Sequence, residues 1–396
     1  MPNLFDHVRD VGGLSLAQRP FDELDSLALT QIVYMPFEGL LDAGGSVSLA
    51  RAWDFLRETY PDNFTDPFQH KRYDLTALCA GSARYADWEL HDYVNDIDNE
   101  RMTQFCACTF EPPGSGLSYI ALRGTDLTLV GWREDLNMSF MTIPAQTETV
   151  EYLERIASRT GDALMLGGHS KGGNLALYAA AHAHSDTQAR IRRAYSFDGP
   201  GVADDTLKSH GYELVRERVE SYLPQGSVVG MLLSCHPVYT VVRSDAWGLL
   251  QHDALTWQIR DGAFETLPDL APSGKFADEA LRGWIDSLSP DDRRMLTDTV
   301  FRVVGAAQTD TVDTLLSTLP AKMPDMRAAV RALDPETRQS ARRILHGLFA
   351  SGAAEIARML LPRTLRTLGG LNAGERLKAL EEKARLLRPS EKDPTP

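Results

Sequence analysis

The chain has 396 residues, 41 of them basic and 55 acidic, for a net charge of −14. That balance argues against a nucleic-acid-binding surface and leaves the chemistry open. Hydrophobic residues make up 43%, which is enough for one large domain and a smaller one. No apolar run approaches the length of about 18 residues that a membrane span needs.

Read in chain order, Met1 to Asp10 lacks a basic stretch followed by an apolar run, so no secretion leader is expected. Asp25 to Met35 has helical spacing at Leu29, Ile32 and Val33 and stops at Pro36. Thr103–Phe110 and Ser118–Leu122 are strand-like and joined by a Pro-Gly-rich turn, which predicts a hairpin. Cys106 and Cys108 share one face of the first of these strands and cannot easily bridge each other there. With Cys79 and Cys235 they make four cysteines with no zinc spacing, so buried reduced thiols in a cytoplasmic protein are expected, without metal. A helix around Val150–Ala157 is followed by a short buried strand, Ala163–Leu166. An alanine-rich helix, Leu175–His182, and another strand, Ala194–Phe197, come next. Strand, helix, strand in this rhythm predicts a parallel sheet covered on both faces.

Two prolines and a glycine within residues 267–274 mark a linker. Beyond it nearly everything is helical. Ser289-Pro290-Asp291-Asp292 and Asp334-Pro335-Glu336 each combine a capping side chain, proline at the first helical position and early acid. Three apolar stripes follow: Leu281, Trp284, Ile285 and Leu288; Leu296, Val300, Val303 and Val304; Leu377, Leu380, Ala384 and Leu387. The expected organisation is a body over 1–266, a linker over 267–274 and a helical region over 275–396 with a frayed tail.

The sharpest local signal is Gly168-His169-Ser170-Lys171-Gly172, set between a buried strand and a small-residue helix. A serine on such a turn is held out from the sheet as a nucleophile, and Gly168 and Gly172 remove the Cβ atoms that would clash across it. The Lys171 N–H, at the helix N-terminus, is the expected oxyanion donor. Leu122-Arg123-Gly124-Thr125-Asp126 leaves an earlier strand through a glycine; Gly124 permits close approach, and Thr125 is the second donor. The base must follow Ser170. His252 fits a late loop, with His236 as its rival. Asp198, at the end of the strand after the helix, is the candidate acid, with Asp245 and Asp253 as fallbacks. Each residue also has a plain structural role open to it, in a turn, a cap or the core.

Arg123-Gly124-Thr125-Asp126, followed by Gly131-Trp132-Arg133-Glu134-Asp135, resembles the class-3 (fungal-type) lipase pattern, and Gly-His-Ser-x-Gly-Gly is similar to that family's nucleophile elbow. The stretches RGTDLTLVGWREDLNMSF, GGHSKGGNLA, FDGPG and QHDALTW resemble a bacterial family of lipase-like proteins more closely, from about Leu27 to the C-terminal helices. The resemblance implies an α/β-hydrolase fold with a C-terminal helical appendage. It also implies Ser170 as nucleophile, His252 as base, and Thr125 and Lys171 as oxyanion donors. The acid departs from the pattern. Class-3 lipases place an aspartate before a late Val-Pro element, where this chain has Ser227, whereas Asp198 resembles the acid of vertebrate digestive lipases. Lys171 also departs. It is open to a substrate phosphate or carboxylate, or to an ion pair.

The implied activity is hydrolysis of a small-molecule or lipid carboxylic ester through Ser170, His252 and Asp198, with no cofactor. The other reading is an inactive binding or regulatory protein on a hydrolase scaffold. Residues 351–396 carry nine basic and six acidic side chains, so peripheral contact with an anionic membrane is a further expectation. The oligomeric state is not legible.

Overall fold

A computed structural model describes residues 1–350 except 42–44, 62–65, 99, 102, 127–128, 139–140, 232–235, 237, 272–282, 285–286 and 310–311. Cys235, most of the expected linker, Leu281, Ile285, the stripe from Leu377 to Leu387 and the basic C-terminal segment lie outside the described residues.

The N-terminal part forms α1 (Leu4–Val11), α2 (Glu23–Ile32), a short strand β1 (Val47–Ser48), α3 (Leu49–Thr59) and α4 (Pro67–Ala80). Then come β2 (Glu89–Asp98), β3 (Thr103–Glu111), β4 (Leu117–Leu122), α5 (Leu129–Asn137), α6 (Pro144–Arg159) and β5 (Ala163–His169). After these follow α7 (Lys171–His182), α8 (Ser185–Arg190), β6 (Ile191–Phe197), α9 (Asp204–Leu207), α10 (His210–Val215), β7 (Val219–Pro224) and β8 (Tyr239–Val242). Short strands β9 (Ile259–Arg260), β10 (Ala263–Phe264) and β11 (Thr266–Leu267) precede the helices α11 (Pro290–Gly305), α12 (Val312–Ala332) and α13 (Pro335–Ala350). The main sheet runs β1-β2-β3-β4-β5-β6-β7-β8-β11. The pairings from β4 to β8 are parallel, and those of β1 to β4 and of β8 with β11 are antiparallel. With its flanking helices this is an α/β-hydrolase fold. The predicted hairpin is β3–β4, and the predicted strand–helix–strand unit is β5–α7–β6.

Because the parallel strands are laid down in sequence order, crossovers of one hand put their helices on one face of the sheet. Side chains alternate between the faces along each strand. Ile120, Leu122, Leu164, Leu166, Ala194 and Val219 pack with α6, α7 and α10 on one side. Tyr119, Ala121, Tyr195, Phe197 and Tyr222 turn to the other side. That second face needs cover from elsewhere. The N-terminal helices provide it, with Leu24, Leu27, Ile32 and Leu75 fully buried against it. The strand β2 and most of this helical cover carry no signal singled out by periodicity. Cys106 and Cys108 point together into the same core, as expected, and with Cys79 they are free thiols.

The cover is fastened by a buried ion pair. Asp25 and Arg84 are both fully enclosed, with Arg84 Nη2 2.5 Å from Asp25 Oδ2. Arg84 Nε and the Tyr85 hydroxyl both donate to Asp25 Oδ1, at 2.7 and 2.5 Å. Arg84 Nη1 donates to the carbonyls of Leu14 and Arg19, at 3.2 and 3.0 Å, so the network ties three segments of the cover together.

At the other end, the start of the expected linker belongs to the body. Thr266–Leu267 pairs with β8, Leu270 is buried against Leu223, Met231 and Val241, and the Ala271 N–H donates to Gln225 O at 2.7 Å. Ser289 caps α11 and Asp334 caps α13, accepting from Asp292 N at 3.0 Å and Thr337 N at 2.8 Å. Val300 of the expected apolar stripe is exposed, and Thr297 and Thr299 are buried on that helix instead. An Arg133–Asp298 pair at 2.8 Å joins α11 to α5. Among the described residues no helix is long and apolar enough to cross a membrane.

Removing one partner of a buried pair strands the other charge. Asp25→Ala is therefore expected to lower unfolding free energy by about 3–5 kcal/mol, read as a drop in the urea midpoint with the m-value unchanged.

Candidate active site

Ser170 lies between the end of β5 and the start of α7 with φ 58° and ψ −133°. A left-handed conformation at a non-glycine residue costs about 1–3 kcal/mol and persists only where its surroundings enforce it. Here they do. The Ser170 N–H donates to Phe197 O at 3.0 Å, which ties the turn to the end of β6. A Cβ at Gly168 would sit 2.0 Å from the Gly172 carbonyl carbon, and one at Gly172 would sit 2.2 Å from Leu122 O. The turn can close only with glycine at both places. Lys171, as the first residue of α7, places its N–H at the positive end of the helix beside Ser170.

The loop after β4 closes on the same turn. A Cβ at Gly124 would lie 3.0 Å from Ser170 Cβ, 2.4 Å from His169 O and 2.3 Å from Tyr34 Oη. Gly124 thus brings the backbone of Thr125 next to Ser170. The Thr125 hydroxyl donates to Asp135 Oδ2 at 2.6 Å, and Asp135 Oδ1 is enclosed without a hydrogen-bond partner.

Asp198 also adopts a left-handed conformation, φ 47°, one residue past the end of β6, and it is almost fully buried. Its N–H donates to Tyr222 O at 2.8 Å, so the carboxylate is registered against β7. Oδ2 lies 2.6 Å from His252 Nδ1. Oδ1 accepts from the Ser227 hydroxyl and from the Gly230 N–H, the latter at 3.1 Å. Ser227 therefore does not leave the carboxylate position empty. It holds the relocated carboxylate from behind.

His252 ends a short 3₁₀ turn, Gly248–His252, that is pinned on two sides. The fully buried Trp257 donates from Nε1 to Gln251 O at 2.8 Å, and Gln251 Oε1 accepts from Gly226 N at 2.9 Å. His169, the residue before Ser170, packs on His252 with ring centroids 4.6 Å apart and the rings tilted by 36°, and its Nε2 lies 2.7 Å from His252 O. A carbonyl can only accept, so His169 Nε2 carries the proton. Burial, then the neighbouring His252, hold the His169 imidazole well below the usual histidine range, so it stays neutral.

The rival residues are engaged elsewhere. His236 Nδ1 faces the Tyr212 hydroxyl at 2.6 Å. Asp245 accepts from Gln258, and Asp253 accepts from Lys71 at 2.9 Å. Of the two readings of the Lys171 side chain, a substrate anion or an ion pair, the structure has the ion pair. Its ammonium is buried, 2.6 Å from Glu134 Oε2 and 2.8 Å from Gln104 O. Glu134 also accepts from Gln104 N at 3.1 Å and Ala145 N at 3.2 Å. This closed network braces α7 against β3, α5 and α6. Tyr34, His169, Glu134 and Asp135 were not singled out as site residues. For the last two, the Gly131–Asp135 stretch was the available signal.

Burial pushes the Asp135 carboxyl up to about 6, against the opposing pull of Lys171 and the Thr125 hydroxyl. The unfolded chain releases that proton near about pH 3.9. Between these values the folded state holds the extra proton, so this carboxyl's contribution to stability falls as pH rises from about 4 to 6. Asp135→Asn is expected to flatten that segment of the urea-midpoint profile against pH. A wild-type slope carried over unchanged into the variant would contradict the assignment.

Residues 79–302, more than half of the chain, match the family model described as Mbeg1-like. No curated protein matches the chain. Among solved structures, it is similar to a fungal lipase–inhibitor complex that served as a model for interfacial activation in lipases. The identity is 12% and the TM-score 0.33, over 58% of this chain and 82% of the lipase chain. On the extent of the family match, the chain belongs to the Mbeg1-like family.

Proposed function

We propose that the protein is a serine hydrolase that cleaves carboxylic esters through an acyl-enzyme. The observation that carries this reading is the contact between a late-loop imidazole and the carboxylate at the end of β6, beside a serine at the end of the neighbouring strand β5. Ser170 is held in a left-handed turn after β5, and His252 Nδ1 lies 2.6 Å from Asp198 Oδ2. His169 bonds the backbone of His252 directly to the residue that precedes the nucleophile.

In this scheme Ser170 Oγ attacks the ester carbonyl carbon as His252 Nε2 takes its proton. Asp198 Oδ2 accepts from Nδ1–H, fixes the tautomer and stabilises the imidazolium. The carbonyl oxygen gains the negative charge and is held by the N–H groups of Thr125 and Lys171, with the α7 dipole adding to them. His252 returns the proton to the leaving alcohol. A water then attacks the acyl carbon with the same base, and Ser170 is regenerated. The Thr125 hydroxyl already donates to Asp135, so the backbone N–H, rather than the hydroxyl, is assigned to the oxyanion. No metal or organic cofactor takes part.

A fluorophosphonate probe is expected to label the wild-type chain at Ser170 and to leave Ser170→Ala unlabelled. A folded wild type that takes no label and turns over no short-chain p-nitrophenyl ester would leave the inactive binding-protein reading instead. Asp198→Asn keeps the hydrogen bond but selects the wrong imidazole tautomer, and it is expected to lower kcat by roughly 10⁴-fold with little change in KM.

A further inference from the structure

Among the described residues beside the candidate site, one guanidinium keeps N–H groups without a partner. Arg72, on α4, lies with its Cζ 3.6 Å over the ring of Tyr34, and its Nε donates to Gln31 Oε1 at 3.2 Å. Tyr34 is where the site begins: its hydroxyl and Ser170 Cβ flank the same point, 2.3 and 3.0 Å from where a Cβ at Gly124 would stand. Stacking on Tyr34 and the bond to Gln31 fix the plane of the guanidinium. Its two terminal nitrogens then form a preset fork, with no hydrogen-bond partner among the described residues.

Among the described residues, the two carboxylates whose charge acts on Arg72, Asp253 and Asp66, make no hydrogen bond to that fork. Asp253 is taken by Lys71 at 2.9 Å, and Asp66 accepts from the N–H groups of Phe68 and Gln69, at 3.3 and 3.2 Å. Gln31 is buried and must turn its oxygen to Arg72, which leaves its Nε2 enclosed without an acceptor. Burial opposes the charge on Arg72, the nearby Tyr34, Asp253 and Asp66 favour it, and a second guanidinium, Arg123, opposes it less strongly. Arg123 is itself buried, bonds Asn95 Oδ1 at 2.8 Å, pairs with Asp126 Oδ2 at 3.7 Å, and keeps an enclosed Nε without a partner. An unpaired N–H fork fixed in plane on a partly exposed side chain matches a carboxylate or phosphate.

We infer that Arg72 reads an anionic group on the substrate, so that the ester cleaved at Ser170 carries a carboxylate or phosphate. The inference rests on the hydrolase reading for the reaction but not for the binding. Arg72 is here a specificity-determining residue. The acyl carbon goes to Ser170, and the anion goes to the fork beyond Tyr34. Lys171, enclosed with Glu134, takes no part in this recognition.

The test compares mono-p-nitrophenyl glutarate with p-nitrophenyl butyrate on the wild type, Arg72→Gln and Arg72→Lys. The wild type is expected to favour the anionic ester in kcat/KM. The anionic-to-neutral ratio is expected to fall at least tenfold in Arg72→Gln, and by less in Arg72→Lys, which keeps the charge but loses the fork. Circular dichroism and melting confirm that the variants fold. In parallel, inorganic phosphate, glutarate and phosphatidylglycerol vesicles are titrated into Ser170→Ala and into Ser170→Ala/Arg72→Gln. Binding by the first chain that weakens at least tenfold in the second upholds the anion site even if neither ester is cleaved; in that event only the hydrolase reading fails. Arg72-dependent binding of vesicles alone identifies the source as a lipid headgroup, and binding of phosphate or glutarate a soluble anion. A wild type that favours the neutral ester overturns the inference. So does an Arg72→Gln substitution that moves neither the ratio nor the binding, or an absence of both turnover and binding.

Discussion

Asp198 has two carboxylate oxygens, and the molecule uses them in opposite directions. Oδ2 meets His252 Nδ1, while Oδ1 is held by Ser227 and the Gly230 N–H. A buried carboxylate is costly unless its lone pairs are filled, and these contacts fill them from two separate stretches of chain. The position of His252 follows from this, because its turn has to arrive where Oδ2 points. The candidate acid thus sits after β6 and is steadied from after β7, the place where the class-3 lipase pattern has its acid.

Two left-handed residues, Ser170 and Asp198, stand at neighbouring strand ends. Each is tied by its own N–H to the next strand, Ser170 to Phe197 and Asp198 to Tyr222. The sheet therefore imposes the strain, and it can do so because its core is packed on both faces. Sequential parallel strands cover only one face with their own crossover helices. The other face depends on the N-terminal helices and on the Asp25–Arg84 pair that fastens them. Through Tyr34, that same cover reaches the Gly124 turn. The N-terminal segment is both the second wall of the core and one wall of the candidate site.

Charge beside the site is sorted by enclosure. Lys171 and Glu134 are sealed together and brace α7. Arg72 is held in plane by neutral partners, Tyr34 and Gln31. Of these two cations, the one adjacent to Ser170 in sequence is therefore structural, and the one roughly a hundred residues earlier is left to face a ligand.

The sequence by itself determined the local features. The glycines around Ser170, the hairpin, the β5–α7–β6 unit and the proline-led helix starts all rest on backbone sterics and short-range capping, which act within a few residues. Asp198 and His252 could be nominated from chain order, but their 2.6 Å contact could not. Ser227 read as a missing acid because its partner lies 29 residues away in sequence. Lys171 stayed open between a ligand and an ion pair because its distance from Glu134 depends on how α5 packs against α7. Tyr34 falls inside a predicted helix and Arg72 outside every predicted element, and nothing in a 3.6-residue period reveals which wall of the sheet a helix will cover. Tertiary structure decided these points, because hydrogen-bond satisfaction and burial are properties of surroundings assembled from distant parts of the chain.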